Sequence, residues 1–273
     1  MNLLKIKTFY KSFLGFILFF IFIKVSLAND LCSSPWKIGI YDNPPFQTSI
    51  NEKESGLDID IITEVAKKLD CEVLLIKIPW SRQFYEAKTG RLDIIMGAGK
   101  RNDREEYLYY LTPYKNLPSV VVFMNNSKSP KAFTLSNLKN MNITIGALIG
   151  AVFSEEYEHL IKDPLFSSKI ELSSKTELII NKLRLGRIDG AFFTGILEVK
   201  KLMPKEYNNN ELIIYPISSI DYGYFAYSKK TFDLLKAKKI DKVIQDLNSD
   251  GTLKKLMKKY FNQNEIKSIS VAN

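Results

Sequence analysis

GLDIDIITEVAKKLDCEVLLIKIPWSRQFYEAKTGRLDIIMGAGKRNDREEYLYYLTPY, residues 56–114, decides the fold. Ile59, Ile62, Val65, Ala66 and Leu69 share one face at helical spacing, which predicts a helix over 57–69. Residues 73–78 form a short apolar run and read as a strand. Residues 81–89, closed by Gly90, read as a second helix, and 92–96 as another strand. That strand runs into GAGKRNDR, a glycine-containing loop that carries Arg104. Strand–helix units repeated at this spacing predict a parallel sheet with helices on both faces.

Upstream, 37–41 reads as a buried strand that runs into DNPPFQ, where Pro44 and Pro45 end regular structure. The polar segment 51–55 reads as a loop. Downstream, 120–124 reads as a strand, and the polar NNSKSPK after it marks a crossing into a second unit. The rhythm then restarts, with strands at 143–148, 170–172, 188–193 and 212–216 and helices at 151–161, 176–185 and 197–203. Residues 222–227 cross back. Helices at 232–247 and 252–261 follow, the second preceded by the turn signal Asp250-Gly251.

Residues 1–28 stand apart. Lys5, Lys7 and Lys11 form a basic start, 13–23 is apolar save for Gly15, and Ser26 and Ala28 are small residues where a signal peptidase cuts. This is a secretory-signal pattern with an apolar run short for a membrane span; the alternative is an uncleaved N-terminal anchor. Cys32 follows Asn29, Asp30 and Leu31, which do not make a lipoprotein signal. The expectation is an exported protein beginning near Asn29. Removing the leader's four lysines (Lys5, Lys7, Lys11, Lys24) from the formal charge of +9 leaves +5, a mildly basic surface rather than a nucleic-acid footprint.

The two cysteines, Cys32 and Cys71, each lie just before a strand. If those strands are parallel neighbours, both cysteines sit at one sheet edge and a disulfide is expected in an oxidising compartment, with two buried free thiols as the alternative. One histidine, His159, and no clustered Cys/His spacing argue against a structural zinc site, and no cofactor is expected.

Seven motifs in order then carry a resemblance: IGIYDNPPF, GLDIDIITEVAKKL, GRLDIIMGAGKRNDREEYLYYLTPY, LKNMNITIGALIGAVF, KLRLGRIDGAFF, YGYFAYSK and LNSDGTLKKLMKKYF. The chain resembles the type II periplasmic solute-binding proteins, specifically the polar-amino-acid-binding family of ABC importers. The resemblance implies two α/β lobes joined by a two-strand hinge, with the ligand in the cleft between them. Lobe 1 would be 29–123 plus 222–273, and lobe 2 would be 124–221. It also implies a periplasmic monomer whose partners are a small-molecule ligand and a membrane permease.

Ligands of such lobes sit beyond the carboxyl ends of strands. Asp42, Asn43 and Phe46 follow the first strand, Trp80 and Arg82 the second, Gly97 and Gly99 the third, and Gly150 and Ala151 the first of lobe 2; Thr194 ends its third. In the resembled family, the arginine matching Arg104 forms a two-point salt bridge with the ligand's carboxylate, a task suited to its planar fork. The alternative is a surface arginine paired with Glu105 or Glu106. Gly97 and Gly99 let backbone N–H groups approach an anion. Trp80 is a stacking wall or core packing, Phe46 a pocket floor or core anchor, and Arg82 a cleft residue or a salt-bridge partner. Lys100 and Arg101 face the ligand or solvent.

The departures bear on the ligand. Relatives usually carry an aspartate, to hold an ammonium, where this chain has Thr194, and hydroxyl residues where it has Ile149, Gly150, Ala151 and Val152. Asn43 replaces an aromatic, and Gly99 a serine or threonine in a loop one residue shorter. Unless Asp42 supplies the missing acid, a buried ammonium would be uncompensated, and an acid without an α-amino group should bind better than a zwitterion. The expected function is capture of a small carboxylate-bearing solute, an amino acid or related organic acid, for an ABC uptake transporter. The alternatives are a cleft enzyme such as a cyclohexadienyl-type dehydratase, for which Asp42 is the one obvious strand-end acid, and a sensory ligand-binding module.

Overall fold

The computed structural model describes residues 30–50, 53–126, 129–203, 211–218 and 221–271; the expected signal peptide lies outside the described residues. Along the chain the strands are β1 (Trp36–Ile40), β2 (Thr48–Ile50), β3 (Lys53–Ser55), β4 (Val73–Lys77), β5 (Ile94–Ala98), β6 (Leu108–Asn116), β7 (Val120–Met124), β8 (Ile145–Leu148), β9 (Ile170–Ser173), β10 (Gly190–Phe193), β11 (Leu212–Pro216) and β12 (Tyr222–Ser228). Two five-stranded sheets result, in the orders β4-β1-β5-β12-β6 and β11-β7-β10-β8-β9, while β2 and β3 form a small hairpin. Residues 53–55, expected as loop, are therefore half of that hairpin.

Both sheets are mixed rather than parallel. β1 runs parallel to β4 and β5, and β8 parallel to β9 and β10, as the strand–helix alternation requires. β12 is antiparallel to β5 and β6, and β7 to β10 and β11, because the chain crosses between sheets twice and returns reversed. The first crossing also lies earlier than expected. Residues 120–124 hydrogen-bond to β10 and β11, so the chain leaves the first sheet at 117–119 rather than after 123. The two crossings are bonded to each other. Leu117 N–H donates to Asp221 O (2.8 Å), Ile217 N–H to Ser119 O (2.9 Å), Asp221 N–H to Asn116 Oδ1 (2.9 Å) and Ser119 N–H to Ser218 Oγ (2.8 Å).

Helix α1 (Leu57–Leu69) buries Ile59, Ile62, Val65 and Ala66 against Ile38, Ile40 and Ile94 on one face of the first sheet. It stops at Asp70, whose φ of 56° is the left-handed cap of a helix end. On the other face, Phe84 and Ala87 of helix α2 (Trp80–Lys88) pack with Ile95 and Ala98. That core continues without a break into Leu148, Ala151, Phe153 and Phe192 of the second sheet, so the two halves are in contact. β1 and β4 pair with Trp36 opposite Val73, which brings Cys32 and Cys71 to one edge, where they form the expected disulfide.

A cleft between two sheets

Between the sheets, beyond the ends of β1, β5, β8 and β10, lies a cavity of about 40 Å³. A single water needs ~10–15 Å³ on this measure, so the space as it stands holds a few waters and a larger occupant has to part the halves.

Arg104 lies in the short helix α3 (Asn102–Glu105) after β5 and is 2% exposed. Its guanidinium stacks 3.6 Å from the Phe84 ring centre, and Nη2 donates to the Gly150 carbonyl of the opposite half at 2.5 Å. Nε and Nη1 are buried with no hydrogen-bond partner among the described residues. Burial, reinforced by the neighbouring Arg101, lowers its pKa. Leaving charged donors buried and unmet is costly. Arg104 is not itself in the cavity wall; it lies beyond Trp80, against Gly150.

Trp80 opens α2, lines the cavity and packs on Tyr41 and Phe84, each at 4.9 Å between ring centres. Its indole N–H has no partner. Gly97 and Gly99 also line the cavity. Gly97 has φ of 71°, and a Cβ there would come within 3.0 Å of Lys115 Nζ; a Cβ on Gly99 would meet Val152 at 3.0 Å. Glycine at 99 is thus what lets the halves come this close.

On the other side, Ala151 and Thr194 line the cavity. Both the N–H and the hydroxyl of Thr194 donate to Glu198 Oε2, at 3.1 and 3.0 Å. Glu198, in helix α7 (Ile196–Leu202; helices α4 Glu155–Leu160, α5 Pro164–Ser167 and α6 Thr176–Arg184 precede it), also accepts from Thr176 Oγ1 at 3.3 Å. Its pKa is raised by burial. With its proton committed to Glu198, Thr194 Oγ1 offers only lone pairs to the cavity. Asn43 lines the cavity too; its Nδ2 donates to Tyr41 Oη at 2.8 Å, and its Oδ1 is buried without a partner.

Four expected site residues stand elsewhere. Asp42 turns to the surface, accepting from Ser49 N–H (3.1 Å) and pairing with Lys77 (3.0 Å), so it cannot supply an acid to the cleft. Arg82 is exposed two residues along α2 from Trp80 and pairs with Glu86 at 3.0 Å. Phe46 is a core anchor, packed against Phe261 at 5.7 Å with Lys115 Nζ 3.9 Å from its ring centre. Gly150, at φ 80°, meets Arg104 and Ser81 behind the cavity. Lys100 and Arg101 sit at the outer mouth, Lys100 paired with Glu105 and Arg101 with Asp103.

Two features escaped sequence reasoning. Lys115, at the end of β6, lines the cavity and bonds both carboxylate oxygens of Asp58 at 2.9 and 2.8 Å; the side chains are 2% and 0% exposed. Gln47 Nε2 adds a 3.1 Å bond to Asp58. Burial lowers the Lys115 pKa, and Asp58 opposes that shift. The second is Asp221, on the returning crossover, which lines the cavity and accepts from Ser119 Oγ at 2.7 Å. Burial raises its pKa to about 7. No spacing signal marks either: Lys115 and Asp58 are 57 residues apart, and Asp221 precedes its strand by one position.

Comparison with known proteins accords with this geometry. The chain is 26% identical over 224 residues to the probable amino-acid-binding protein YxeM of Bacillus subtilis, covering 80% of each. It is 22% identical to the L-cystine-binding protein TcyA of the same organism, covering 82% of this chain and 79% of that one. Among solved structures, a histidine kinase sensor domain with similarity to periplasmic binding proteins superposes with a TM-score of 0.74 at 17% identity, covering 86% of this chain and 98% of that chain. The P235GK mutant of ArgBP from T. maritima gives 0.69 at 23% identity, covering 83% of this chain and 94% of that chain. The model of the bacterial extracellular solute-binding proteins, family 3, matches residues 37–263, and the chain belongs to that family.

Proposed function

We propose that the protein captures a small amino acid or a closely related organic acid outside the cytoplasmic membrane, in the periplasm, and delivers it to the permease of an ABC importer. The observation that carries this reading is Arg104, buried with two unmet nitrogens at the seam of the two halves. A ligand carboxylate is the group that a buried, half-satisfied guanidinium selects, and it would compete with the Gly150 carbonyl for the same donors. Trp80 supplies a flat wall, Gly97, Gly99 and Ala151 keep the walls low, and Asn43 and Thr194 present acceptors. The lobes, rocking about the paired crossings, would close over the bound solute.

Native mass spectrometry of protein purified from an export-competent host should show a bound small acid, released unchanged on denaturation. Arg104→Ala should weaken calorimetric binding of that acid by roughly 2–5 kcal/mol, the loss expected when one partner of a buried charge pair is truncated. An unchanged dissociation constant overturns the reading of the cleft.

A further inference from the structure

The chain's charge is unevenly spread. Residues 229–273 hold eleven lysines, no arginine and five acidic residues, a balance of +6. Discounting the leader, the whole chain carries +5, so everything from Asn29 to Ser228 balances at −1. The lysine-rich end folds into α8 (Leu234–Ser249), α9 (Thr252–Met257) and α10 (Gln263–Ile269). All three bury apolar residues in the core that α1 shares with the first sheet: Ile240 and Ile244 from α8, Leu253 and Met257 from α9, Ile266 from α10.

Helical period then decides where the lysines go. At about 100° per residue, Leu235, Lys238, Lys239 and Lys242 fall within roughly 100° of arc, on the side of α8 away from Ala237, Ile240 and Ile244. The next helix repeats the pattern, with Lys254, Lys255 and Lys258 turned away from Leu253, Leu256 and Met257. Lys242 pairs with Asp246 and Lys259 with Asp60. No acid among the described residues pairs with Lys238, Lys239, Lys254, Lys255, Lys258 or Lys267. Among the three helices and the end of β6 lies a recess of about 880 Å³, whose wall includes Lys254, Lys267, Gln245 and Asn264 and no carboxylate. At the start of α8, Leu235 is 73% exposed, more than any other large apolar side chain described, and Leu234 beside it is exposed too.

We propose that this face docks the protein on an anionic phospholipid bilayer, with the lysines on headgroup phosphates and Leu235 in the interfacial layer. The inference goes beyond solute capture and does not depend on what the cleft holds. The kind of cation sets the kind of partner. Lysine is a compact, well-hydrated point charge, suited to a diffuse field of phosphates, whereas the arginine fork reads a carboxylate or a nucleic-acid phosphate in fixed geometry. All six arginines of the chain lie before residue 188. Interfaces between proteins are rich in arginine and poor in lysine, the reverse of this face. Lysines at one spacing on two helices, with bare leucines beside them, make the amphipathic basic surface that sits in a membrane interface. None of the residues lining the cleft cavity comes from α8, α9 or α10, so docking leaves the cleft free. A permease sits in a bilayer, and holding the binder there replaces a search through volume with one along a surface.

The test is flotation of the protein, purified after export, with vesicles of phosphatidylcholine alone and of phosphatidylcholine mixed equally with phosphatidylglycerol. Wild type should float with the anionic vesicles and not with the neutral ones. Salt at about 1 M, where the screening length falls to about 3 Å, should release it. The fourfold variant K238Q/K239Q/K255Q/K258Q should lose at least about tenfold in affinity for the anionic vesicles, because each lysine at such a surface adds to the attraction. A matched variant on the second half, K131Q/K169Q/K175Q/K201Q, should keep wild-type affinity, and Leu235→Ser should lose severalfold. Melting curves of all three variants should match wild type. The proposal is overturned if wild type fails to float with anionic vesicles at low salt, or if the two fourfold variants lose equally, which would trace binding to net charge rather than to this face. Tighter capture by soluble polyglutamate than by vesicles, or an unaltered Leu235→Ser, identifies an acidic protein as the occupant and overturns it too. The solute-binding reading rests on Arg104 and is untouched by these outcomes.

Discussion

The two walls of the cleft are built on different principles. The side built on the first sheet holds full charges in buried positions: Lys115 on Asp58 in the cavity wall, and Arg104 over Phe84 behind it. The wall from the second sheet is mostly apolar, with Leu148, Ala151 and Val152 around one threonine, and its single acid, Glu198, is set behind that threonine rather than in the cavity. A charge taken out of water is held by rigid partners, as Lys115 is by Asp58 within the first half, while Arg104 keeps two nitrogens unmet; an apolar surface needs only shape. The first wall carries buried charge and the second does not.

The difference can be broken on the charged side. Lys115→Ala leaves Asp58 buried with only Gln47 and should destabilise the fold by about 3–5 kcal/mol, read as a shift in the urea midpoint. Val152→Ala on the second wall is the comparison, and a comparable loss there would erase the contrast. Asp221 sharpens it next. Its folded-state pKa of about 7 lies well above the ~3.9 of an unfolded aspartate, so the folded protein retains a proton that the unfolded chain releases. Ligand-free stability should therefore fall as pH rises from about 4 to 7. Asp221→Asn should be the more stable protein above pH 7, by roughly 2–4 kcal/mol, with the gap closing toward pH 4. Parallel melting curves for the two across that range would refute the buried-acid description. The smallest effect is expected outside both walls. Arg82→Ala removes an exposed pair with Glu86, worth ~0–1 kcal/mol, and should leave ligand affinity unchanged by calorimetry.

The spread of these effects follows what the sequence could disclose. Elements with strong local periodicity were legible: α1 through its Ile59–Ile62–Val65–Ala66 stripe, and the parallel strands between helices. β6 was not. Its residues are half-buried on both sides and include Pro113, so neither alternation nor a continuous apolar run marks it, and its partner β12 lies over a hundred residues away. The site divides the same way. Arg104, Trp80 and the two glycines follow strand ends, where topology alone brings them to the cleft. Asp42 and Arg82 share that placement, but the backbone turns one to the surface behind Ser49 and about half a helical turn from Trp80 carries the other outward. Lys115 finds Asp58, and Asp221 finds the cavity, only because two crossings bring distant segments together. Such meetings are properties of the assembled sheets and leave no trace in local spacing.

The bonded crossings have a mechanical consequence. The two crossing segments, joined through Leu117–Asp221, Ser119–Ile217 and Ser119–Ser218, form a narrow bonded link, stiff to shear along its bonds and compliant to flexing across them. Opening is then confined to about one angular coordinate, so the entropy surrendered on closing is that of a single swing rather than of two bodies tumbling on a loose tether.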